Sequence, residues 1–186
     1  MRLPVTLLAA VPLVALSACA ATDGSAAPAD VPDGVAEQYA TLAAEIEERG
    51  GEVESGPWTI GYIVERAEPW FEGPEKTSFR EPDAEATHHI EVIPTETATG
   101  RIVPDVPITV EIVDADGNVV DSARLNFLHS TFFHYANNFR VPEEGRYSLR
   151  VTLEPPTFFR HGEAGEEPPL AEPATVTFED VELGTE

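Results

Sequence analysis

The sequence of 186 residues contains very little sulfur. Its single cysteine is Cys19 and its single methionine is Met1. If the N-terminal stretch is removed and Cys19 is modified, the mature chain has neither a free thiol nor a thioether. Disulfides within it are then excluded. A metal site would have to use nitrogen and oxygen ligands, which argues against Cu(I) and against a thiolate-ligated blue-copper centre.

Basic residues are also scarce. The chain has 34 Asp and Glu against 11 Lys and Arg, and Lys76 is its only lysine. Removal of Arg2 with the N-terminal stretch leaves a net charge of about −24 by counting (10 − 34). Such a field repels nucleic acid and anionic lipid surfaces and concentrates cations. No nucleic-acid partner is therefore expected, although a solvated acidic surface suited to a saline habitat explains the same charge without cation binding.

The first 19 residues have the pattern of a secretory signal. A short basic start at Arg2 is followed by an apolar run up to Leu16. This run is shorter than the ~20 residues that span a bilayer. The sequence LSAC at 16–19 fits the bacterial lipobox, so we predict a lipoprotein signal peptide over 1–18 and lipidation of Cys19. The protein would be extracytoplasmic and membrane-anchored, in the periplasm or at the cell surface. An ordinary cleaved signal with an accidental cysteine is the alternative.

A tether and one helix are predicted next. Residues 19–33 are small and polar and include proline and glycine, which is typical of a flexible tether. Four apolar residues then recur at helical spacing: Val35, Tyr39, Leu42 and Ile46. This spacing predicts a helix over 34–51, capped by Asp33 and ended by two glycines. Because so short a helix is marginal alone, we expect it to pack on the following domain or to stay partly frayed.

From Pro57 onward the pattern changes to short strands separated by turns. Six segments alternate or are rich in β-branched residues: WTIGYIVE (58–65), THHIEVI (87–93), PITVEIVD (107–114), NVVDSARLNF (118–127), RYSLRVTLE (146–154) and ATVTFEDVEL (174–183). Asp116-Gly117 is a hairpin signal, and 161–174 reads as a surface loop. About 130 residues of such strands favour an all-β, immunoglobulin-like β-sandwich with one core over 52–186.

The five histidines are confined to one part of the chain. They are His88, His89, His129, His134 and His161. Alternate residues of a strand face opposite sides, so His89 and Glu91 share one face of THHIEVI while His88 lies on the apolar face. His89 and Glu91 thus place an imidazole beside a carboxylate. An isolated strand histidine is more often a hydrogen-bonded structural residue, and for His88 and His129 that role is favoured.

An ordered set of motifs extends from Trp58 to Gly162. It consists of the H-x-E strand at 89–91, His134-Tyr135 with Asn138, Gly145-Arg146-Tyr147 leading to Pro155-Pro156, and Arg160-His161. No single motif is specific, but their order and spacing are. The set resembles the periplasmic iron-transport-associated proteins encoded beside iron permeases. The resemblance implies an immunoglobulin-like metal-binding protein, typically a homodimer.

The ligands implied by the resemblance are His89, His134 and His161, with Glu91 alongside. The methionine of the family, about seven residues before the HY pair, is Phe127 here. His129 would then take over that coordination position. Loss of the thioether favours Cu(II), Zn(II), Fe(II) or Fe(III) over Cu(I). Because the ligating ring nitrogen must be deprotonated, metal affinity should fall below the ordinary histidine pKa of roughly 6.5.

The sequence therefore predicts a lipid-anchored metal-binding protein that holds iron or copper, with zinc a further candidate, and supports a membrane iron permease. It is predicted not to be an enzyme. Two alternatives remain open. Three histidines with Glu91 as a base resemble a hydrolytic zinc site, although no HExxH motif or nucleophile elbow accompanies them. An immunoglobulin-like adhesion or assembly lipoprotein with incidental histidines is the other.

Overall fold

Most of the described chain is β-structure. A computed structural model describes residues 31–73 and 78–184. The predicted signal peptide, Cys19 and the tether up to residue 30 lie outside the described residues. Within the described ranges, one helix and twelve strands follow each other: α1 (Asp33–Arg49), β1 (Gly50–Ser55), β2 (Trp58–Arg66), β3 (Trp70–Glu72), β4 (Ser78–Arg80), β5 (His88–Glu96), β6 (Arg101–Ile102), β7 (Ile108–Val113), β8 (Val119–Arg124), β9 (Asn126–His129), β10 (Phe133–Phe139), β11 (Gly145–Leu153) and β12 (Ala174–Leu183).

Two antiparallel sheets enclose the main apolar core. The first sheet has the order β1-β2-β5-β10-β9, with β6 beside β5, and the second has the order β12-β11-β7-β8. Side chains from both sheets meet in the core, among them Trp58, Ile60, Ile90, Val92, Val110, Ile112, Leu149 and Val151. The predicted β-sandwich is confirmed. β3 and β4 form a separate hairpin.

Five of the six predicted strands are confirmed to within three residues at each end, but the strand predicted over 118–127 is wrong. That segment forms two strands in different sheets, because β8 pairs with β7 and β9 pairs with β10. Leu125 lies between them, buried, and its N–H donates to the Ile108 carbonyl at 2.9 Å. The chain crosses from one sheet to the other at this residue.

The ends of α1 differ in part from the prediction. Asp33 was predicted as the cap, but it is the first helical residue and Pro32 holds the N-cap position without a side-chain cap bond. The Pro32 carbonyl accepts the N–H groups of Val35 and Ala36 instead. A proline has no side-chain acceptor, so only its carbonyl can serve the free donors of the first turn.

The helix ends at Arg49, as its glycines predict, but Gly50 passes directly into β1. A Cβ on Gly50 would lie 1.8 Å from the Tyr62 carbonyl oxygen. Only glycine therefore permits so abrupt a step from helix to strand.

Helix α1 packs on the outer face of the first sheet. Leu42 forms a second apolar cluster with Ile63, Ile93 and Phe132. A Cβ on Gly61 would lie 2.7 Å from the Ile46 Cδ1, so glycine at this position lets the helix approach closely. The sheet is thus covered on both faces in this region, and seven consecutive residues of β5 are buried.

None of the helices in residues 31–73 and 78–184 is long and apolar enough to cross a membrane.

We expect Leu42→Ala to lower the free energy of unfolding by about 2–5 kcal/mol, because it empties a buried site between α1 and the sheet. Val35→Ala on the same helix, where the side chain is 42% exposed, should change it by less than ~0.5 kcal/mol. Urea unfolding of both variants measures the difference. Equal effects of the two substitutions would mean that the packing of α1 contributes little.

Candidate metal centre

The register of the first sheet places the predicted site on its outer face. β5 pairs with β10 so that His89 lies opposite Asn138 and Glu91 lies opposite Ala136. Directly opposed residues share a face of the sheet, and His134 precedes Ala136 by two residues and so shares it too. All of these side chains therefore point away from the main core, towards the side on which α1 packs.

Three of the predicted ligands come together there. One ligand atom each of His89, Glu91 and His134 lie within 4.8 Å of one another. The three residues are only 2%, 5% and 4% exposed. The His134 Nε2 is 3.5 Å from the Glu91 Oε1. The two imidazole rings are nearly perpendicular, with centroids 6.5 Å apart.

Both imidazoles are held through their Nδ1 atoms. The His134 Nδ1 lies 3.3 Å from the Phe132 carbonyl oxygen. A carbonyl can only accept, so this nitrogen carries the proton and Nε2 is left with a lone pair that faces Glu91. The His89 Nδ1 lies 2.9 Å from the Asn138 Oδ1. The Trp70 ring lies beside His89, with centroids 6.3 Å apart.

Burial is the main determinant of the protonation state of the Glu91 carboxyl group. It is the largest cause that raises the pKa of Glu91 to about 8, and the negative charges of Glu65, Glu45 and Glu68 act in the same direction. The positive charge of Arg49, which forms an ion pair with Glu65, opposes them. The metal-free Glu91 is therefore mostly a neutral acid at pH 7.

His134 is held neutral by the same exclusion of water. Burial lowers its pKa to about 4, against an opposing effect of the hydrogen bond to the Phe132 carbonyl, and the nearby His89 lowers it further. The Glu91 Oε2 is buried and has no hydrogen-bond partner among the described residues. A bound cation would satisfy this oxygen and use the bare Nε2 of His134, so the donor set fits a metal ion of the type that takes nitrogen and oxygen ligands.

The remaining histidines lie elsewhere. His88 faces the opposite side from His89, and both of its ring nitrogens are bonded, Nδ1 to the Thr87 hydroxyl at 2.8 Å and Nε2 to the Gly184 carbonyl at 3.0 Å. Of the adjacent pair, the structure thus brings His89 to the cluster. His129 is exposed and its ring lies 4.5 Å from that of Phe133. His161 is exposed in the loop after β11. Neither belongs to the cluster found in the described residues.

Sequence reasoning missed the residues around the ligands. Glu65 lies opposite His89 on β2, and Glu45 and Arg49 reach the same region from α1. No local sequence pattern indicates that these residues lie near the cluster, because the pairing of β2 with β5 and the packing of α1 are long-range contacts. Asn138 was part of the resembling motif, but its contact with His89 could not be read from spacing alone.

The comparisons with known proteins agree with this architecture. The model of the family described as Fe2+ transport protein matches residues 75–183. The chain belongs to this family. No curated protein sequence matches the chain.

Solved structures show the same fold. A copper-bound variant of FetP from uropathogenic Escherichia coli is similar at 19% identity, with a TM-score of 0.59, over 73% of this chain and 90% of that one. A copper-bound variant of the P19 protein of Campylobacter jejuni is similar at 19% identity, with a TM-score of 0.59, over 74% of this chain and 98% of that one. Helix α1 and the strands β1, β2 and β3 precede the part of the chain that the family model matches.

We expect the metal-free protein to lose stability as the pH rises from 6.5 to 8. The folded pKa of Glu91, about 8, lies above its ordinary value of 4.5, so the unfolded chain gives up this proton first. The contribution of Glu91 is full below pH 4.5 and is lost as the pH approaches 8. His134 acts in the opposite direction, but only between about pH 4 and its ordinary value of 6.5. Above that range the loss due to Glu91 should amount to about 1–2 kcal/mol.

Glu91→Gln should remove this pH dependence, since glutamine has the shape of the neutral acid and does not titrate. Glu54→Gln, at an exposed position of β1, is the matched control and should keep it. Urea unfolding of the three proteins in the presence of a chelator at pH 6.5 and 8 measures the difference. An identical pH slope in Glu91→Gln and wild type would show that Glu91 ionises in the folded protein as it does in the unfolded chain.

Proposed function

We propose that this protein is a lipid-anchored, extracytoplasmic metal-binding protein that holds iron or copper and supports iron uptake by a membrane permease. The observation that carries the proposal is the buried cluster of His89, Glu91 and His134, in which the ligand atoms lie within 4.8 Å of one another. The family to which the chain belongs is defined by Fe2+ transport. The copper in the FetP and P19 structures supports copper as a second candidate.

The chemistry of the donors narrows the range of metals. Two imidazole nitrogens and a carboxylate oxygen suit Fe(II), Cu(II) and Zn(II) better than Cu(I), which prefers sulfur. Three protein ligands leave coordination positions open. An open position is what a carrier requires, because an acceptor must contact the ion before the carrier releases it.

The remaining parts of the proposal concern the surroundings of the site. Cys19 would carry the lipid, the tether would separate the domain from the membrane, and the permease would receive the ion. His161 and His129 are proposed as further ligands, and a homodimer as the functional assembly. Because both histidines are exposed, they would have to be brought to the cluster by movement of their segments or by a second copy of the chain.

Metal content tests the proposal directly. The chain from residue 20 onward, which includes the compact unit Pro32–Glu186, is dialysed against Fe(II) under anaerobic conditions, Cu(II) or Zn(II), and the bound metal per chain is measured. We expect about one equivalent for wild type and a loss of at least tenfold in affinity for His134→Ala, because the substitution removes the lone pair that faces Glu91.

His88→Ala is the matched control, since it removes a buried histidine from the opposite face of the same strand as His89. It should retain the metal even where it lowers stability. His161→Ala and His129→Ala report on the additional ligands, and each weakens binding only if its imidazole coordinates. Equally low metal content in wild type and in His134→Ala would refute the metal-binding function and leave an adhesion or assembly role.

Metal binding at pH 7 should release about one proton. The metal-free Glu91 is mostly protonated at this pH, because its pKa is raised to about 8, and a metal ion binds the carboxylate form. His134 is already neutral and contributes none. Calorimetric titration with Zn(II) in two buffers of different ionisation enthalpy measures the number of protons. Glu91→Gln should release about one proton fewer than wild type, and an unchanged release would exclude Glu91 as its source.

A further inference from the structure

Asn138 joins a metal-ligating imidazole to the backbone of another segment. Its side chain contacts His89 and also both polar backbone atoms of Glu68, which lies between β2 and β3. The Glu68 N–H is 3.0 Å from the Asn138 Oδ1, and the Asn138 Nδ2 is 2.7 Å from the Glu68 carbonyl oxygen. All polar atoms of this amide therefore have partners.

The two contacts with Glu68 fix the orientation of the amide. A backbone N–H can only donate, so the atom that faces it must be the side-chain oxygen. A backbone carbonyl can only accept, so the atom that faces it must be the side-chain NH2. Rotation of the amide by 180° would place donor against donor and acceptor against acceptor. The atom of Asn138 that faces His89 is consequently an oxygen.

An oxygen at that position determines where the proton of His89 lies. The Asn138 Oδ1 is 2.9 Å from the His89 Nδ1 and has no hydrogen to donate. The Nδ1 must therefore carry the proton, which leaves Nε2 as the nitrogen with the free lone pair. This matches His134, whose Nδ1 donates to the Phe132 carbonyl. Both imidazoles thus have the same tautomer, with Nε2 available to a metal ion.

The same amide also holds the segment that covers His89. Glu68 is two residues before Trp70, and the Trp70 ring lies beside the His89 ring. Asn138 therefore determines both the proton position of the ligand and the placement of the chain over it. Among uncharged side chains, asparagine is suited to this because it presents one acceptor and one donor in a fixed plane.

The geometry points to Asn138 as a positioning residue of the metal centre. Two hydrogen bonds to the backbone of Glu68 orient its amide, and the amide oxygen fixes His89 as the Nδ1–H tautomer. The role inferred for Asn138 rests on the proposed metal-binding function. Its first test needs no metal, because the tautomer of His89 exists in the metal-free protein.

The test compares the chain from residue 20 onward with Asn138→Leu and Asn138→Asp. Leucine removes acceptor and donor, whereas aspartate keeps an acceptor for His89, places an oxygen instead of the donor at the Glu68 carbonyl, and adds a negative charge. Asn137→Ala is the matched control: the neighbouring amide donates to the Arg124 carbonyl and accepts the backbone N–H of Asn138, and neither bond involves His89 or Glu68. Long-range 1H–15N spectra at pH 8, where an ordinary histidine is neutral, report the tautomer. The His89 signals are assigned by their absence from His89→Gln.

We expect a protonated Nδ1 and a bare Nε2 in wild type, in Asn137→Ala and in Asn138→Asp. In Asn138→Leu the Nε2–H form should appear. Retention of the wild-type tautomer in Asn138→Leu would overturn the inference, and so would its loss in Asn138→Asp. If the leucine variant does not fold, the aspartate variant still decides.

Metal affinity provides the second readout. Loss of a hydrogen-bond partner of a metal ligand typically lowers metal affinity by 10–100-fold. Asn138→Leu should therefore bind Zn(II) about 10–100-fold more weakly than Asn137→Ala. Asn138→Asp should keep most of the affinity. Equal affinities of the leucine variant and the control would overturn the positioning role. A wild-type chain that binds no Zn(II), Fe(II) or Cu(II) would refute the proposed function, whereas the tautomer spectra would still decide what Asn138 does to His89.

Discussion

The packing of α1 on the outer face of the first sheet is the contact on which the site depends. That face would otherwise be open to solvent, as one face of an antiparallel sheet commonly is. Leu42 closes it together with Ile63, Ile93 and Phe132. His89, Glu91 and His134 lie on the same face of the sheet and are buried as well. Burial is the largest cause of both the raised pKa of Glu91 and the lowered pKa of His134.

In the metal-free protein at pH 7, the buried Glu91 is mostly a neutral acid and the buried His134 is a neutral imidazole. The neutral acid avoids the large free-energy penalty of a buried anion, and the neutral His134 imidazole avoids that of a buried cation. If these residues bind a metal ion, the ion would replace the proton on Glu91 and would use the Nε2 atoms of His89 and His134. The nearby carboxylates of Glu45 and Glu65 add a negative field, which Arg49 partly offsets. The surroundings of Glu91 and His134 therefore favour a cation, although neither of these two residues is mostly charged in the metal-free protein at pH 7.

The sequence predicted the sandwich and half of the site for clear physical reasons. Strand alternation is a local property, so it placed His89 and Glu91 on one face and His88 on the other, and the structure agrees. The approach of His134 depends on which strands pair, and this came from the resemblance to a family rather than from periodicity. The crossing at Leu125 was missed because a buried residue between two strands looks like part of one continuous strand.

The surroundings of the ligands could not be predicted for a different reason. The hydrogen bonds between Asn138 and Glu68 join residues seventy positions apart. Nothing in the sequence of either segment predicts that the two are in contact. The sheet face against which α1 packs could not be predicted either. Helical spacing shows which side of a helix is apolar, but it does not show which surface that side contacts. Long-range side-chain contacts are set by the whole fold and not by local pattern.

The direct passage from α1 into β1 limits how the chain can vary in length. Gly50 belongs to β1 and follows the last helical residue, so no loop is present to absorb an insertion. One added residue at this joint would rotate the helix by about 100° relative to the sheet. Leu42 would then leave the apolar cluster, and Glu45 and Arg49 would turn away from Glu65. By contrast, residues 161–169 of the loop between β11 and β12 are all exposed, and insertions there should be tolerated. Length differences among related chains that keep this helix should therefore concentrate in that loop and avoid the helix–strand joint.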